Sequence, residues 1–305
     1  MVHFHRIIQP YFHVVFTLPD KLNGLFLANP SAMYRLLFKA AWNTLSQFFL
    51  TKLHAQAGMI TILHTWGQTL SYHPHLHCIV PAGGIGIRGQ WKQVKLSASG
   101  KVYLFPAENL SRVFRGKFME GLNNLMSVDS GFKKELYRSG WVVYTKDPFA
   151  GPESVLEYLV RYTHKTAISN HRILKVDPYG VTFRWRDYRD NQQKVMTLEG
   201  VEFLRRFSHH ILNKGFVRIR HFGFLSATHR PVLHQLQHSM GVRVEPTIKR
   251  EHWKEICRRR LGYDPDICPE CGQLTMVTIE RFLPGRGPPL VYRNQLIHSS
   301  QNQHQ

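Results

Sequence analysis

Two histidines separated by a single residue lie in a short apolar segment, residues 72–80, that has the composition of a β-strand. Residues two apart in a strand project from the same face, so His75 and His77 are expected side by side. Two imidazoles held rigidly on one face form half of a site for a divalent cation. His73 could add a third imidazole, although Pro74 interrupts the strand's hydrogen bonding there. The alternative interpretation is a polar strand end whose histidines are incidental.

A complete metal site needs further ligands from the neighbouring part of the chain. The preceding predicted strand, residues 59–66, would pair antiparallel with the histidine strand, which makes His64 or Gln68 the candidate third ligand. Residues 58–84 contain no Asp or Glu. An ion held mainly by imidazoles would keep open positions for phosphate oxygens and water.

Two tyrosines form the second candidate group. Tyr158 and Tyr162 are four residues apart in a segment predicted to be helical, so they would share one face, one turn apart. Such a pair could be ordinary core aromatics. Their neighbours Arg161, His164 and Lys165 are cationic, however, and favour a phosphate-binding site.

A tyrosine pair beside cations suits one particular chemistry. A free phenol has a pKa of about 10, so it needs a nearby cation or base to become a nucleophile at neutral pH. Its attack on a DNA phosphate would give a phosphotyrosine and a free hydroxyl, and this linkage stores the bond energy needed for rejoining. A second tyrosine one turn away would allow a second cleavage before the first is resolved.

The elements that would position these groups are predicted from hydrophobic spacing. Strands are expected at residues 11–18, 59–66, 75–80, 91–96, 141–145, 168–175, 181–185, 194–198 and 216–222. Helices are expected at residues 30–56, 108–125, 152–163 and 200–212. This order predicts an α+β fold. No P-loop or dinucleotide-binding fingerprint is found in the sequence.

The composition indicates a globular protein that meets a polyanion. The chain has 305 residues, 43% of them hydrophobic, and 40 Lys and Arg against 20 Asp and Glu give a net charge of +20. Nucleic acid is the first expected partner and an anionic membrane surface the second. No window reaches the roughly 18 consecutive apolar residues of a membrane span, and residues 1–9 hold no apolar signal core. We therefore expect a cytoplasmic protein.

The histidine strand followed by the tyrosine pair resembles the HUH endonucleases, and more specifically the two-tyrosine, rolling-circle insertion-sequence transposases. Residues 16–18 resemble the first motif of that superfamily. The resemblance covers about residues 8–275. It rests on YFHVVFTLP at 11–19, LHTWGQ at 63–68, HPHLHCIVPAGG at 73–84, YLVRYTHK at 158–165, VTFRWRDYRD at 181–190 and GFVRIRHFG at 215–223.

The resemblance implies a central antiparallel sheet that carries the histidines, flanking helices, and Mg²⁺ or Mn²⁺ at His75 and His77. It implies that Tyr158 and Tyr162 cleave single-stranded DNA at transposon ends through a 5′-phosphotyrosine and transfer the strand into target DNA. Family members usually begin with a Cys-rich zinc module ahead of the YFHVVFTLP strand, whereas this sequence begins about ten residues before it. Basic residues are expected to hold the DNA backbone: Arg161, Lys165, Arg184 and Arg186.

The C-terminal region holds a second candidate metal site. Cys268 and Cys271 form a Cys-Pro-x-Cys-Gly turn, and with Cys257 and His252 they could bind a structural Zn²⁺. The alternative is a half-site with free thiols. We expect a nuclease core at residues 1–228, a basic extension at 229–293 and a disordered tail at 294–305.

Two other functions fit the same residues. A non-catalytic, zinc-stabilised DNA-binding protein would need neither tyrosine. A relaxase or replication-initiator nickase would use the same chemistry for another task. The sequence contains no signal for the oligomeric state, the order of tyrosine use or the recognised DNA sequence.

Overall fold

The computed structural model of the protein describes residues 10–94, 104–146, 148–149, 167–187, 189–241 and 253–276. The predicted tyrosine helix lies outside the described residues, and so does His252. The helix contains the proposed nucleophiles Tyr158 and Tyr162. It also contains Arg161, and Lys165 follows it; both are predicted phosphate contacts that lie outside the described residues.

The described elements alternate between strands and helices along the chain, as expected for an α+β fold. The strands are β1 Tyr11–Thr17, β2 Ala55–Gln56, β3 Gly58–Trp66, β4 Tyr72–Pro81, β5 Gly83–Gly86, β6 Trp91–Gln93, β7 Val142–Thr145, β8 Ile173–Asp177, β9 Gly180–Asp187, β10 Gln192–Leu198 and β11 Ile219–Gly223. The helices are α1 Asn23–Ala28, α2 Pro30–Phe48, α3 Ala107–Leu125, α4 Ser130–Arg138, α5 Gly200–Ser208, α6 Arg230–Ser239 and α7 Trp253–Ile256.

Five strands form the central sheet in the order β11-β3-β4-β1-β7, and all four pairings are antiparallel. The histidine strand β4 is the middle strand of this sheet. Two three-stranded sheets accompany it, with the orders β10-β9-β8 and β2-β5-β6. The predicted α+β class and the antiparallel central sheet with flanking helices are therefore confirmed.

One face of the central sheet is buried by α2 and α3. Alternate side chains of the strands, such as Phe16 and Leu76, share a core cluster with Leu37 of α2 and Phe118 of α3. The pleat turns the intervening residues to the opposite face. The histidines of β4 therefore project on the side of the sheet away from α2 and α3.

The predicted helix 30–56 was too long. α2 ends at Phe48, a π-helical turn spans Phe49–Leu53, and His54 adopts a left-handed conformation with φ of 48°. The chain then enters β2. Apolar residues continue through the turn, and this is why the spacing alone suggested a longer helix. The start of the predicted strand 168–175 was also wrong: a 3-10 turn occupies Asn170–Arg172, and β8 begins only at Ile173.

The chain divides into two compact units, Met1–Val244 and Glu245–Gln305. The first unit includes α6, which contributes to its core. Leu233 and Leu236 of α6 are buried in one cluster with Ile60 of β3 and Phe224. The division into a nuclease core and a basic extension at residue 228 stays a prediction. None of the described helices is both long enough and apolar enough to cross a bilayer.

Candidate metal centre

The pairing of β3 with β4 brings three histidines together. His64 lies directly opposite His75, and Ile62 lies opposite His77, so His64, His75 and His77 share one face of the sheet. Each offers one ring nitrogen, and these nitrogens lie within 4.8 Å of one another. Among the described residues, this is the only group of three or more His, Cys, Asp or Glu side chains with metal-binding geometry.

Hydrogen bonds set the ring orientation of His75. Its Nδ1 lies 2.7 Å from the backbone carbonyl of His73, and a carbonyl can only accept, so Nδ1–H donates. The lone pair is then on Nε2, which faces His77 Nε2 at 3.0 Å. A metal-binding imidazole has this arrangement, with one nitrogen anchored and the other free to coordinate.

His13 of β1 contacts this group through His77 and was missed by the sequence reasoning. Its Nε2 lies 2.9 Å from His77 Nδ1, and the two rings are nearly parallel, with an interplanar angle of 9°. The alternation of residues 11–17 places His13 on one face of its strand. The sequence could not show that β1 lies beside β4, because the two strands are more than fifty residues apart.

Burial keeps the imidazoles of His75 and His13 neutral at neutral pH. Burial lowers the pKa of His75 to about 4 and that of His13 to about 4; the charge of Lys146 adds to the effect at His13. His64 is buried and stacks on the Trp66 ring, with centroids 4.5 Å apart. Neutral imidazoles are the form that coordinates a metal ion.

Two other predicted ligands lie nearby in sequence. His73 Nδ1 is 3.1 Å from Asp20 Oδ1, and His73 is not part of the three-histidine group. Gln68 lies in the turn after β3, where its backbone carbonyl accepts a hydrogen bond from the Arg172 guanidinium. Coordination through the Gln68 side chain remains a prediction.

The two described basic residues of the predicted DNA contact lie on β9. Arg184 and Arg186 alternate with Phe183 and Trp185, and both arginines are exposed while Phe183 is buried. Their side chains are therefore accessible to a polyanion, and DNA binding by them remains a prediction.

The C-terminal cysteines lie in the second unit. Cys257 is buried, and its thiol contacts the Tyr263 hydroxyl at 3.4 Å. Cys268 and Cys271 lie in one turn, where hydrogen bonding from the Cys271 backbone N–H lowers the pKa of the Cys268 thiol. Within the described residues the three cysteines do not form a metal-binding group. The Zn²⁺ site therefore remains a prediction.

Comparisons with known proteins find transposases. A family model named Y2_Tnp and described as "Putative transposase" matches residues 58–231, which include β3, β4 and the tyrosine pair. The chain is 40% identical over 308 residues to "Putative transposase y4qJ" of Sinorhizobium fredii, with 92% of this chain and 75% of that protein covered. It is 26% identical over 278 residues to "Transposase for insertion sequence element IS801" of Pseudomonas savastanoi pv. phaseolicola, with coverage of 88% and 67%. No solved structure matches.

Proposed function

Because the chain belongs to the two-tyrosine family of transposases, we propose that it nicks and rejoins single-stranded DNA through a 5′-phosphotyrosine during rolling-circle transposition. The observation that carries this proposal is the group of His64, His75 and His77 on adjacent strands of the central sheet. A tyrosine pair follows downstream in the sequence. The substrates would be transposon ends and target DNA.

The three imidazoles fit a divalent cation. Each can present one nitrogen to a common point, and His75 is fixed in the tautomer that leaves Nε2 as the donor. Among the described residues the site offers three nitrogen ligands and no carboxylate, which favours Mn²⁺ over Mg²⁺ because Mg²⁺ prefers oxygen ligands. When bound, the cation would supply a Lewis acid for the scissile phosphate.

The tyrosines would supply the covalent step. The phenolate oxygen of Tyr158 or Tyr162 attacks the phosphorus, a new O–P bond forms, and the bond to the 3′-oxygen breaks. The leaving 3′-oxygen takes up a proton and becomes a free hydroxyl. Attack by a 3′-hydroxyl on the phosphotyrosine reverses these changes, so rejoining needs no external energy source. Arg161 and Lys165 beside the tyrosines would bind the phosphate, and Arg184 and Arg186 the flanking backbone.

Nicking of circular single-stranded phage DNA tests this function without knowledge of the natural ends. The protein is expected to linearise the circle with Mn²⁺, more slowly with Mg²⁺, and not with EDTA. The double variant Tyr158→Phe/Tyr162→Phe and the variant His75→Ala are expected to bind the DNA without cutting it. Cleavage that survives both changes would refute the proposal, and duplex circles serve as the control substrate.

A further inference from the structure

An aromatic pocket opens on the first unit between α1, α2, the start of β4 and the segment after α5. Its volume is about 160 Å³, and its aromatic lining consists of the half-buried Tyr72 and Phe216 and the buried Phe26 and Tyr34. Tyr34 and Phe216 meet edge to face, with centroids 5.5 Å apart. Since an apolar cavity of about 150 Å³ is large enough to bind benzene, this pocket has room for one six-membered ring.

Two of the residues that line the pocket carry hydroxyl groups, which suit a ring with carbonyl oxygens. The hydroxyls of Tyr34 and Tyr72 are 2.6 Å apart, so one donates to the other. The second hydroxyl then keeps a hydrogen that it can donate to a ligand. Burial raises the pKa of both phenols, so both remain protonated at neutral pH. A flat ring with carbonyl acceptors, such as a pyrimidine base, matches this lining.

Two arginines lie next to the aromatic wall. The Arg220 guanidinium lies over the Phe38 ring at 4.1 Å and over the pocket residue Phe216 at 5.7 Å. Arg35 follows Tyr34 on α2, and its charge acts together with burial to lower the pKa of Arg220. Neither arginine forms an ion pair with a described carboxylate. Two neighbouring cations without an anion are suited to phosphate.

We propose that this pocket binds the base of one unpaired pyrimidine nucleotide of the DNA substrate, while Arg35 and Arg220 bind its flanking phosphates. Stacking of single-stranded bases on aromatic side chains beside a basic surface is a general mode of DNA binding. Tyr72 begins the strand that carries His75, but Tyr72 packs on the α2 face of the sheet and His75 projects from the other face. A nucleotide in this pocket is therefore held away from the metal centre. The inference rests on the proposed function because it assigns a site to the same single-stranded substrate.

Photocrosslinking tests the occupant directly. Oligo(dT) carrying one 5-iododeoxyuridine is bound to the full chain in EDTA, where no cleavage is needed, irradiated, and the attachment site is mapped by mass spectrometry. The crosslink is expected on Tyr72 or Phe216, the half-buried aromatic residues of the pocket. A crosslink confined to residues outside the pocket would overturn the proposal.

A variant that fills the pocket with a bulky side chain gives an independent test, measured as the affinity for oligo(dT). Ser31 lines the pocket and is exposed on the first turn of α2, so Ser31→Trp places a bulky ring there without removing a core side chain. Its affinity for oligo(dT) is expected to fall about tenfold, whereas Gln47→Trp, exposed elsewhere on α2, leaves the affinity unchanged. Equal affinity of Ser31→Trp and wild type would overturn the proposal.

The phosphate contacts are tested by salt dependence. Arg220→Gln is expected to make the plot of log affinity against log salt concentration shallower by about 0.7, the value for one lost phosphate contact on a single strand. Lys134→Gln, exposed on α4, is the control. An unchanged slope for Arg220→Gln would overturn the phosphate assignment. If the protein passes these binding tests but never nicks DNA, the proposed function is refuted, whereas the assignment of the pocket as a nucleotide-binding site is supported.

Discussion

The His13 side chain contacts His77 from the side away from the expected ion. With an ion held by His77 Nε2, the proton of His77 would be on Nδ1, which lies 2.9 Å from His13 Nε2 and would donate to it, fixing the ring. Residues that orient metal ligands in this way usually contribute about 10- to 100-fold to metal affinity. His13 is therefore expected to act as a positioning residue.

Replacement of His13 by Phe tests this role because it keeps a buried ring and removes the nitrogen. We expect the Mn²⁺ dissociation constant, measured by electron paramagnetic resonance titration, to rise about tenfold. His171→Phe, at an exposed histidine on a 3-10 turn, is the matched control. Equal Mn²⁺ affinity of His13→Phe and wild type would show that the contact does not position His77.

The third metal ligand can be identified by a pair of variants. His64 lies directly opposite His75 and within the nitrogen cluster, whereas Gln68 lies beyond the end of β3. We expect His64→Ala to weaken Mn²⁺ binding by more than about 100-fold, beyond the range of outer residues, and Gln68→Ala to have a much smaller effect. The opposite order in the same titration would make Gln68 the ligand.

His210 gives the fold a dependence on pH. Its ring nitrogens lie 3.2 Å from the Thr65 hydroxyl and 3.2 Å from the Leu70 carbonyl, and burial lowers its pKa from 6.5 to about 4. Between pH 6.5 and pH 4, His210 is protonated in the unfolded chain and neutral in the folded chain. Stability contributed by neutral His210 is therefore present above pH 6.5 and is lost as the pH falls toward 4.

Urea unfolding of the metal-free protein measures this effect. The free energy of unfolding of wild type should fall between pH 6.5 and pH 4, and the His210→Gln variant should lose less over that range, by on the order of 1 kcal/mol. The pKa values of His13 and His75 are lowered as well, so the free energy of unfolding of the variant should still fall with pH, but less steeply. Identical slopes would show that His210 does not contribute.

At the scale of elements, β11 can join the sheet only because its last residue is a glycine. Gly223 pairs with Gly58 of β3, has φ of 59°, and approaches the backbone so closely that a Cβ would lie 1.9 Å from the Ala57 carbonyl oxygen. Gly223→Ala therefore combines a left-handed conformation with a collision against backbone. We expect it to lower the free energy of unfolding by more than about 3 kcal/mol or to prevent folding.

Gly241 is the control for conformation alone. It also has a positive φ, 68°, but a Cβ there meets nothing within 4 Å. Gly241→Ala should cost only about 1–2 kcal/mol, the usual penalty of the left-handed region. Equal losses for the two variants in chemical denaturation would mean that the collision at Gly223 is relieved by a small shift of the strand.

The elements differ in how well the sequence predicted them. β1 and β3 were predicted to within one residue, because their apolar and β-branched runs are bounded by Pro or Gly. β4 begins at Tyr72, earlier than expected, and continues through Pro74, whose missing N–H falls where the pairing with β3 shifts register. α4 was not predicted: only Leu136 of its nine residues is buried, so its apolar periodicity is weak.

The candidate site was predictable only where it depends on local spacing. His75 and His77 share a face because they are two apart, and His64 follows from the short connection between β3 and β4. His13 and the pocket built by Tyr34 and Phe216 depend on contacts between distant segments. Such contacts arise from the order of strands in the sheet and the packing of helices on it, and hydrophobic periodicity carries no information about either.

At the scale of the whole molecule, the net charge of +20 dominates its encounter with DNA. Each phosphate contact on a single strand releases condensed counterions, and the slope of log affinity against log salt is about −0.7 per contact. A protein that binds several phosphates should show a slope steeper than about −3 for oligo(dT) in fluorescence anisotropy. A slope near zero would show that the charge does not contribute to binding, and a duplex of equal length tests strand preference.

The polarity of the covalent intermediate is the most direct test of the account. A single-stranded oligonucleotide spanning a mapped nick site is labelled at either end, incubated with protein and Mn²⁺, and resolved on a denaturing gel. We expect a labelled protein band from the 3′-labelled strand alone, absent with EDTA and absent in Tyr158→Phe/Tyr162→Phe. Cleavage without an adduct, an adduct from the 5′-labelled strand, or an adduct in the double variant would contradict it.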